Sequence, residues 1–294
     1  MPAEIYLNVA IGGLLTGLVY GLMALGLSVI FGVVRVVNFA HGEMMTIAMY
    51  LAVVLFASLG LDPLVMMLPI AAILFVVGYL MQWAMINPFI SRPEHSQFLL
   101  MLAVAIIIVN SLLLLFGPDA KGVQTSYEFD SFAIGSLIVD ATKLYAGIAA
   151  ILVAAALFAF FQFATLGKAI RACADNYTGA LVVGLDVKRL YALSFGLGAA
   201  CVGAAGAIFV LIEPVTPTLG PGYTLLAFVI VITGGLGSMP GALLGGVLIG
   251  LTEAMGGLLA TPSAKSMFAY ALLVLVLLFR PQGIMGKKTD AKLS

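Results

Sequence analysis

Residues 5–34 read IYLNVAIGGLLTGLVYGLMALGLSVIFGVV, a run without a single Asp, Glu, Lys or Arg between Glu4 and Arg35. A helix rising 1.5 Å per residue needs about 20 apolar positions to cross about 30 Å of hydrocarbon, and this stretch exceeds that. Uncharged runs of similar or greater length recur between Asp62 and Arg92, Lys143 and Lys168, Arg189 and Glu213, and Glu213 and Glu253. The chain of 294 residues is 63% hydrophobic and 9% charged, whereas a soluble domain carries about 25% charged residues. So much apolar surface has no place in a soluble fold, and lipid is the expected solvent. The 33 glycines suit membrane helices that pack through small residues. A formal net charge of zero gives neither a basic field for nucleic acid nor an acidic tail. No Lys or Arg precedes the first apolar run, so that run is expected to remain as a membrane helix and not to be cleaved as a signal peptide. Cys173 and Cys201 form neither a disulfide framework nor a metal-ligand spacing, so no metal and no cofactor is expected.

The fold class that follows is all-α and polytopic, a single domain over residues 1–294 with about nine spans. These lie near residues 6–33, 44–60, 64–86, 98–116, 144–165, 190–212, 223–235, 241–258 and 266–280. Pro214, Pro217, Gly220 and Pro221, then Gly234, Gly235, Gly237 and Pro240, divide the run after Glu213 into a loop, a span, a tight turn and a second span. The seventh and ninth spans are short, so eight or ten stay open, with one glycine-rich piece re-entering instead of crossing. Lys and Arg concentrate in cytoplasmic loops. An external N-terminus places Arg35, Arg92, Lys168, Arg171, Lys188, Arg189, Arg280, Lys287, Lys288 and Lys292 inside, and only Lys121, Lys143 and Lys265 outside. The expected orientation is therefore N-terminus out and C-terminus in.

The internal loop TLGKAIRACADNYTGALVVGLDVKRLY, 165–191, places Ile170, Cys173, Ala174, Tyr177 and Leu181 at helical steps. It reads as one short amphipathic helix, stopped by a left-handed Gly184 and followed by a span that Asp186 caps. Such a helix either rests on lipid or docks a soluble partner. Its small-residue stripe favours a protein groove.

Four segments in order, GLSVIFGVVRVVNFAHGEM (26–44), GKAIRACADNYTGALVVGLDVKRLYALSF (167–195), ITGGLGSMPGALLGG (232–246) and FRPQGIMG (279–286), resemble the H-type membrane permease family of branched-chain amino acid ABC importers. The stretch LMLAVAIIIVN, 100–110, departs from the family pattern, which has a Thr and a Gly there. The resemblance implies a non-catalytic permease subunit in a bacterial inner membrane. Its partners would be two ATP-binding cassette subunits, a second homologous permease subunit and a periplasmic solute-binding protein. The implied cargo is a branched-chain or other hydrophobic amino acid, while related systems take urea, short amides or aromatic acids. By the same match, residues 166–189 form the cytoplasmic coupling loop, and Gly167, Arg171, Ala172, Ala174 and Gly184 inherit an ATPase-coupling role.

Two further sets of residues bear on transport. Asn38, His41 and Glu43 follow the first span in VNFAHGEM and carry no metal, nucleophile or phosphate-loop pattern. Glu43 opens the second helix, where a carboxylate gains about 0.3–1 kcal/mol against the dipole, and Arg35 is a candidate partner. The three either stabilise that helix or line a gate in the substrate path. Glu253 lies well inside the eighth span, where insertion of a carboxylate costs about 2.5–3.5 kcal/mol, so it must face protein or water. No second acid or His is expected within the spans to form a proton relay with it. A secondary transporter would carry more intramembrane charge, and an intramembrane enzyme would need a nucleophile or metal cluster. No Walker motif is present, so ATP chemistry would belong to partners.

Overall fold

The computed structural model describes residues 3–90, 92–135 and 137–286. Lys287, Lys288 and Lys292, three of the expected inner cations, lie outside the described residues. Helix α1, Ala3–Val34, spans the first uncharged run without interruption. Its two ends define the two faces of the bundle, named here the Ala3 face and the Val34 face. Next come α2 (His41–Leu59), α3 (Pro63–Leu80), α4 (Glu94–Phe116) and α5 (Ala141–Phe163). After two short helices, α6 (Thr165–Asp175) and α7 (Tyr177–Val182), the long helices resume with α8 (Val187–Phe209). The last three are α9 (Gly220–Gly234), α10 (Met239–Leu259) and α11 (Lys265–Phe279). Eight of these helical stretches are long and apolar enough to cross a membrane, and α9 is a shorter ninth.

Helices α1 and α8 form the centre, with 78% and 83% of their most apolar windows buried, whereas α11 is 6% buried and lies at the periphery. Small residues allow this density. A Cβ on Gly17 would lie 2.7 Å from the Gly246 carbonyl oxygen, and one on Gly13 would stand 2.8 Å from that of Gly250, so α1 and α10 touch backbone to backbone. These contacts run in opposite order along the two helices, which makes the pair antiparallel. The glycine spacings of the sequence therefore mark a real seam.

Both ends of α9 are anchored. Just before it, Val215 bridges to Lys121 in the connection after α4. Just after it, Gly235 packs against Gly286, and Ile284 N–H donates to the Thr233 carbonyl at 2.9 Å. The segment from Val215 to Gly234 thus passes from the Ala3 face to the Val34 face. Counting it gives nine crossings and places the two ends of the described chain on opposite faces.

A two-stranded hairpin, β1 (Ser131–Ile134) with β2 (Leu137–Asp140), interrupts the otherwise helical chain. The span reading assigned no strand there, because the hairpin sits in the polar connection where span arguments are silent. It rests on the Ala3 face, where Ile138 N–H donates to Asn8 Oδ1 at 3.1 Å. Asp140 then caps α5 by accepting from Thr142 N–H at 2.9 Å. Nearby, the half-buried Tyr127 hydroxyl bonds the Asp62 carboxylate at 2.7 Å. Burial and that carboxylate raise the Tyr127 pKa well above the usual phenol range.

Candidate functional site

The connection after α1 does not stay at the Val34 face. Arg35 adopts a positive φ of 59°, uncommon for a non-glycine residue, and turns the chain back. Residues 35–40 then re-enter the bundle without helical structure, and α2 starts deep inside it. His41 Nε2 lies 2.9 Å from the carbonyl oxygen of Met23, about 16 Å along α1 from Val34 at 1.5 Å per residue. Irregular backbone at such depth is tolerated only when surrounded by protein. Here Asn38 and His41 are fully buried and Glu43 is 2% exposed. The three expected gate residues are therefore brought together at mid-depth. Glu43 and His41 are also the second acid and the His that the sequence reading did not place within the spans.

Helix α9 begins at the same place from the other side. Gly42 N–H donates to Thr224 Oγ1 at 2.8 Å, and the Thr224 hydroxyl donates to Glu43 Oε2 at 2.9 Å. A Cβ on Gly220 would stand 3.0 Å from the Glu43 backbone nitrogen. Two helices, α2 running toward the Ala3 face and the shorter α9 toward the Val34 face, thus meet head to head. Each N-terminus carries roughly half a positive charge, so the pair would repel. The Glu43 carboxylate offsets both and satisfies donors that lipid cannot. Arg35, the candidate partner for Glu43, is exposed, and the carboxylate is bonded to Thr224 instead. Asn38 shapes the entry to α2 by accepting from Ala40 N–H at 3.0 Å. A carbonyl only accepts, so His41 Nε2 carries the proton in its contact with Met23, and Nδ1 is left buried without a partner.

Glu253 lies apart from this junction. It lines a cavity of about 920 Å³ reached from the Ala3 face, together with Tyr20, Tyr223, Glu213, Lys143 and Lys265. Glu213 is held by the Tyr223 hydroxyl, which donates to Oε2 at 2.8 Å. The first turn of α9 links the two sites, since Tyr223 lines the cavity while its neighbour Thr224 bonds Glu43. Thr224, Gly220, Tyr20, Tyr223 and Glu213 were missed in the sequence because no local pattern shows which side chains of separate helices share a cavity or a junction. Glu213, an isolated acid between two long uncharged runs, is the signal that could have found them.

The loop at the Val34 face differs from the expected single helix. Asn176 leaves the helical conformation at φ −146° and ψ 97°, separating α6 from α7, and its side chain caps α7 by accepting from Gly179 N–H at 2.8 Å. Ile170 and Cys173, two of the five residues of the expected docking stripe, face inward at 0% and 2% exposure. Burial raises the Cys173 pKa. Gly167 sits against the backbone of Phe160 and Phe161 at the end of α5. Among the residues that α6, α7 and the turn after them present outward are Arg171, Ala172, Tyr177, Leu181, Val182 and Val183, and Ala174 is half-buried. Gly184 is left-handed at φ 81°, and Asp186 caps α8 by accepting from Arg189 N–H at 3.1 Å, both as expected.

A many-span bundle with broken helices meeting at mid-depth, a cavity open at one face and a rigid helix pair at the other has the architecture of a membrane permease. The model of the family described as branched-chain amino acid transport system / permease component matches residues 9–277. The high-affinity branched-chain amino acid transport system permease protein BraD of Pseudomonas aeruginosa is 32% identical over 96% of each chain. The corresponding LivH protein of Salmonella typhimurium is 29% identical, again over 96% of each chain. A probable LivH permease of Methanocaldococcus jannaschii is 27% identical over 90% of this chain and 88% of its own. The chain belongs to the branched-chain amino acid transport permease family and is a non-catalytic, multi-pass membrane subunit.

Proposed function

We infer that this chain imports branched-chain or other hydrophobic amino acids as one membrane subunit of an ATP-driven transporter in a bacterial inner membrane. Two ATP-binding cassette subunits dock at the Val34 face, a second homologous permease completes the pathway, and a periplasmic binding protein delivers cargo to the Ala3 face. The N-terminus is periplasmic and the C-terminus cytoplasmic. That orientation is supported by Arg35, Lys168, Arg171, Lys188, Arg189 and Arg280 lying toward the Val34 face, against Lys121, Lys143 and Lys265 toward the other.

The observation that carries the reading is the form of the 166–189 coupling loop. Its base is fixed by Gly167, Ile170 and Cys173, while Tyr177, Leu181, Val182 and Val183 are 52%, 49%, 81% and 73% exposed on the face that bears the cations. A fixed base and an apolar outer surface suit a protein groove that pushes on the loop. Because α6 abuts α5 and the loop leads into α8, movement of α6 and α7 would carry both helices. Gly206 of α8 packs against the Met45 carbonyl of α2, so that movement would reach the junction held by Glu43 and Thr224. Arg171, Ala172, Ala174 and Gly184 are the remaining coupling residues of this reading, and Asn38, His41, Glu43 and Glu253 are its path residues.

Co-purification from mild detergent tests it. The ATPase subunits should be recovered with the wild-type chain. They should be depleted with Ala172→Trp, whose exposed position leaves permease abundance near normal. Full ATPase recovery and full substrate-stimulated hydrolysis in that variant would remove the coupling assignment.

A further inference from the structure

The cavity at the Ala3 face has a polar lining unlike that of a passive funnel. Its inner part is formed by Tyr20 and Tyr223 with the carboxylates of Glu253 and Glu213. Tyr20 is 7% exposed, and its ring packs against Tyr223 and Phe209 at centroid distances of 6.2 and 5.7 Å. Tyr223 in turn meets Phe209 edge-on at 5.1 Å, so the three rings pack together as one aromatic floor.

The cations lie nearer the mouth. Lys143 Nζ is 3.7 Å from where a Cβ on Gly12 would stand, and the Lys265 stem packs against Gly257, one turn beyond Glu253 on α10. Tyr20 is two turns deeper on α1 than Gly12. A ligand entering from the Ala3 face therefore passes Lys143, Lys265 and the Asp140 carboxylate that caps α5 before it meets Glu213 and Glu253 beside the two tyrosines. Between these groups the wall is mostly apolar, with Leu15, Leu226, Ala254 and Leu258 beside Thr16.

We propose that the inner end of this cavity, formed by Glu213, Glu253, Tyr20 and Tyr223, is a binding station for the α-ammonium group of the cargo. The apolar wall takes the cargo's side chain. Two carboxylates attract an ammonium group by charge, and two aromatic rings add cation–π attraction. The place of Glu253 inside α10 is then accounted for, since an intramembrane carboxylate persists where a function retains it. This station deepens the importer reading and rests on it for the identity of the cargo. Its selectivity follows from the lining: an amino acid brings an ammonium group to the two carboxylates, whereas the corresponding deaminated acid brings a like charge to them.

The test uses the purified full-length chain in lipid nanodiscs with four probes that share the branched tail of leucine. Leucine carries both charges, isoamylamine only the ammonium, isocaproate only the carboxylate and isoamyl alcohol neither. Thermal stabilisation at millimolar probe should be produced by leucine and isoamylamine and not by the other two. Glu253→Gln and Glu213→Gln should each raise the isoamylamine concentration needed by about tenfold, the equivalent of about 1.4 kcal/mol. Glu253→Asp should recover part of the loss, which a merely structural carboxylate would not require. Equal responses to all four probes, a response to isocaproate alone, or unchanged isoamylamine curves in both glutamine variants would overturn the station. Its failure is separable from that of the importer reading. If the assembled system imports leucine with a wild-type KM in both glutamine variants, the station falls and the reading stands. If isoamylamine binds as described but the assembled system imports no amino acid, the reading falls and the station stands.

Discussion

Replacing Gly42 by Ala puts a methyl group where two helix N-termini meet. The new Cβ would lie 2.5 Å from the Thr224 backbone nitrogen and 2.8 Å from Thr224 Oγ1, and it would run into the Gly220 carbonyl oxygen. Backbone cannot swing aside as a long side chain can, so α9 would have to retreat. Overpacking of this kind typically costs about 1–3 kcal/mol. Retreat would also stretch the 2.8 Å bond from Gly42 N–H to Thr224, worth roughly 0.5–1.5 kcal/mol. Together these amount to about 2–4 kcal/mol, or a melting temperature lower by roughly 4–16 °C on a scale of 2–4 °C per kcal/mol. Gly222→Ala is the matched control, because it lies in the first turn of the same helix with nothing within 4 Å of the added methyl. It should melt at or above the wild-type temperature. Thermal denaturation of both variants in the same detergent, followed by loss of the monodisperse peak, reads the difference. If Gly42→Ala melts within about 2 °C of wild type, the head-to-head junction as described is wrong.

Other perturbations follow from the same contacts. Thr224→Val removes the donor to Glu43 and the acceptor for Gly42, and should lower stability by about 1–3 kcal/mol, while Thr224→Ser should remain close to wild type in the same melt. Gly184→Val should weaken ATPase recovery because the position is left-handed at φ 81°, and Gly184→Asn should be tolerated because the space around it is open. If Val and Asn behave alike, backbone conformation is not what Gly184 supplies. Tyr127, protonated and bonded to Asp62, has a pKa raised above its unfolded value. Its contribution to stability is therefore complete below about pH 10 and is lost as pH rises through the folded value. The melting difference between wild type and Tyr127→Phe should accordingly shrink in alkaline buffer, and a constant difference would show that the hydroxyl does not titrate with folding.

The spans were legible because lipid imposes a simple requirement of length without charge, and each uncharged run between Glu4 and Glu253 became one or two helices. Even α9 was expected, since Pro221 and the glycines at 234 and 235 mark its ends. What the pattern did not reveal was depth. Residues 35–40 carry Arg35 and Asn38 and so read as a surface connection, yet they return into the bundle because Glu43, Gly42 and Thr224 satisfy one another there. Such pairing joins residues 182 positions apart, and no local periodicity records it. The loop from 165 to 191 was partly legible for a related reason. Gly184 and Asp186 act through their own backbone neighbours and were read correctly, whereas the break at Asn176 and the inward turn of Ile170 and Cys173 depend on packing against α5 and α8. Glu253 was assigned to protein or water on cost alone, and the cavity it lines is built from residues on five helices.

The central claim is that ATP, and not an ion gradient, drives cargo through this chain. Its most direct test is leucine uptake into proteoliposomes that contain the chain with its co-purified partner permease and ATPases, with the binding protein added on the side that faces the Ala3 end. Uptake should require ATP and the binding protein, and should persist when a protonophore and a sodium ionophore collapse the ion gradients. Uptake that continues without ATP and is abolished by the ionophores would identify an ion-coupled transporter and contradict it.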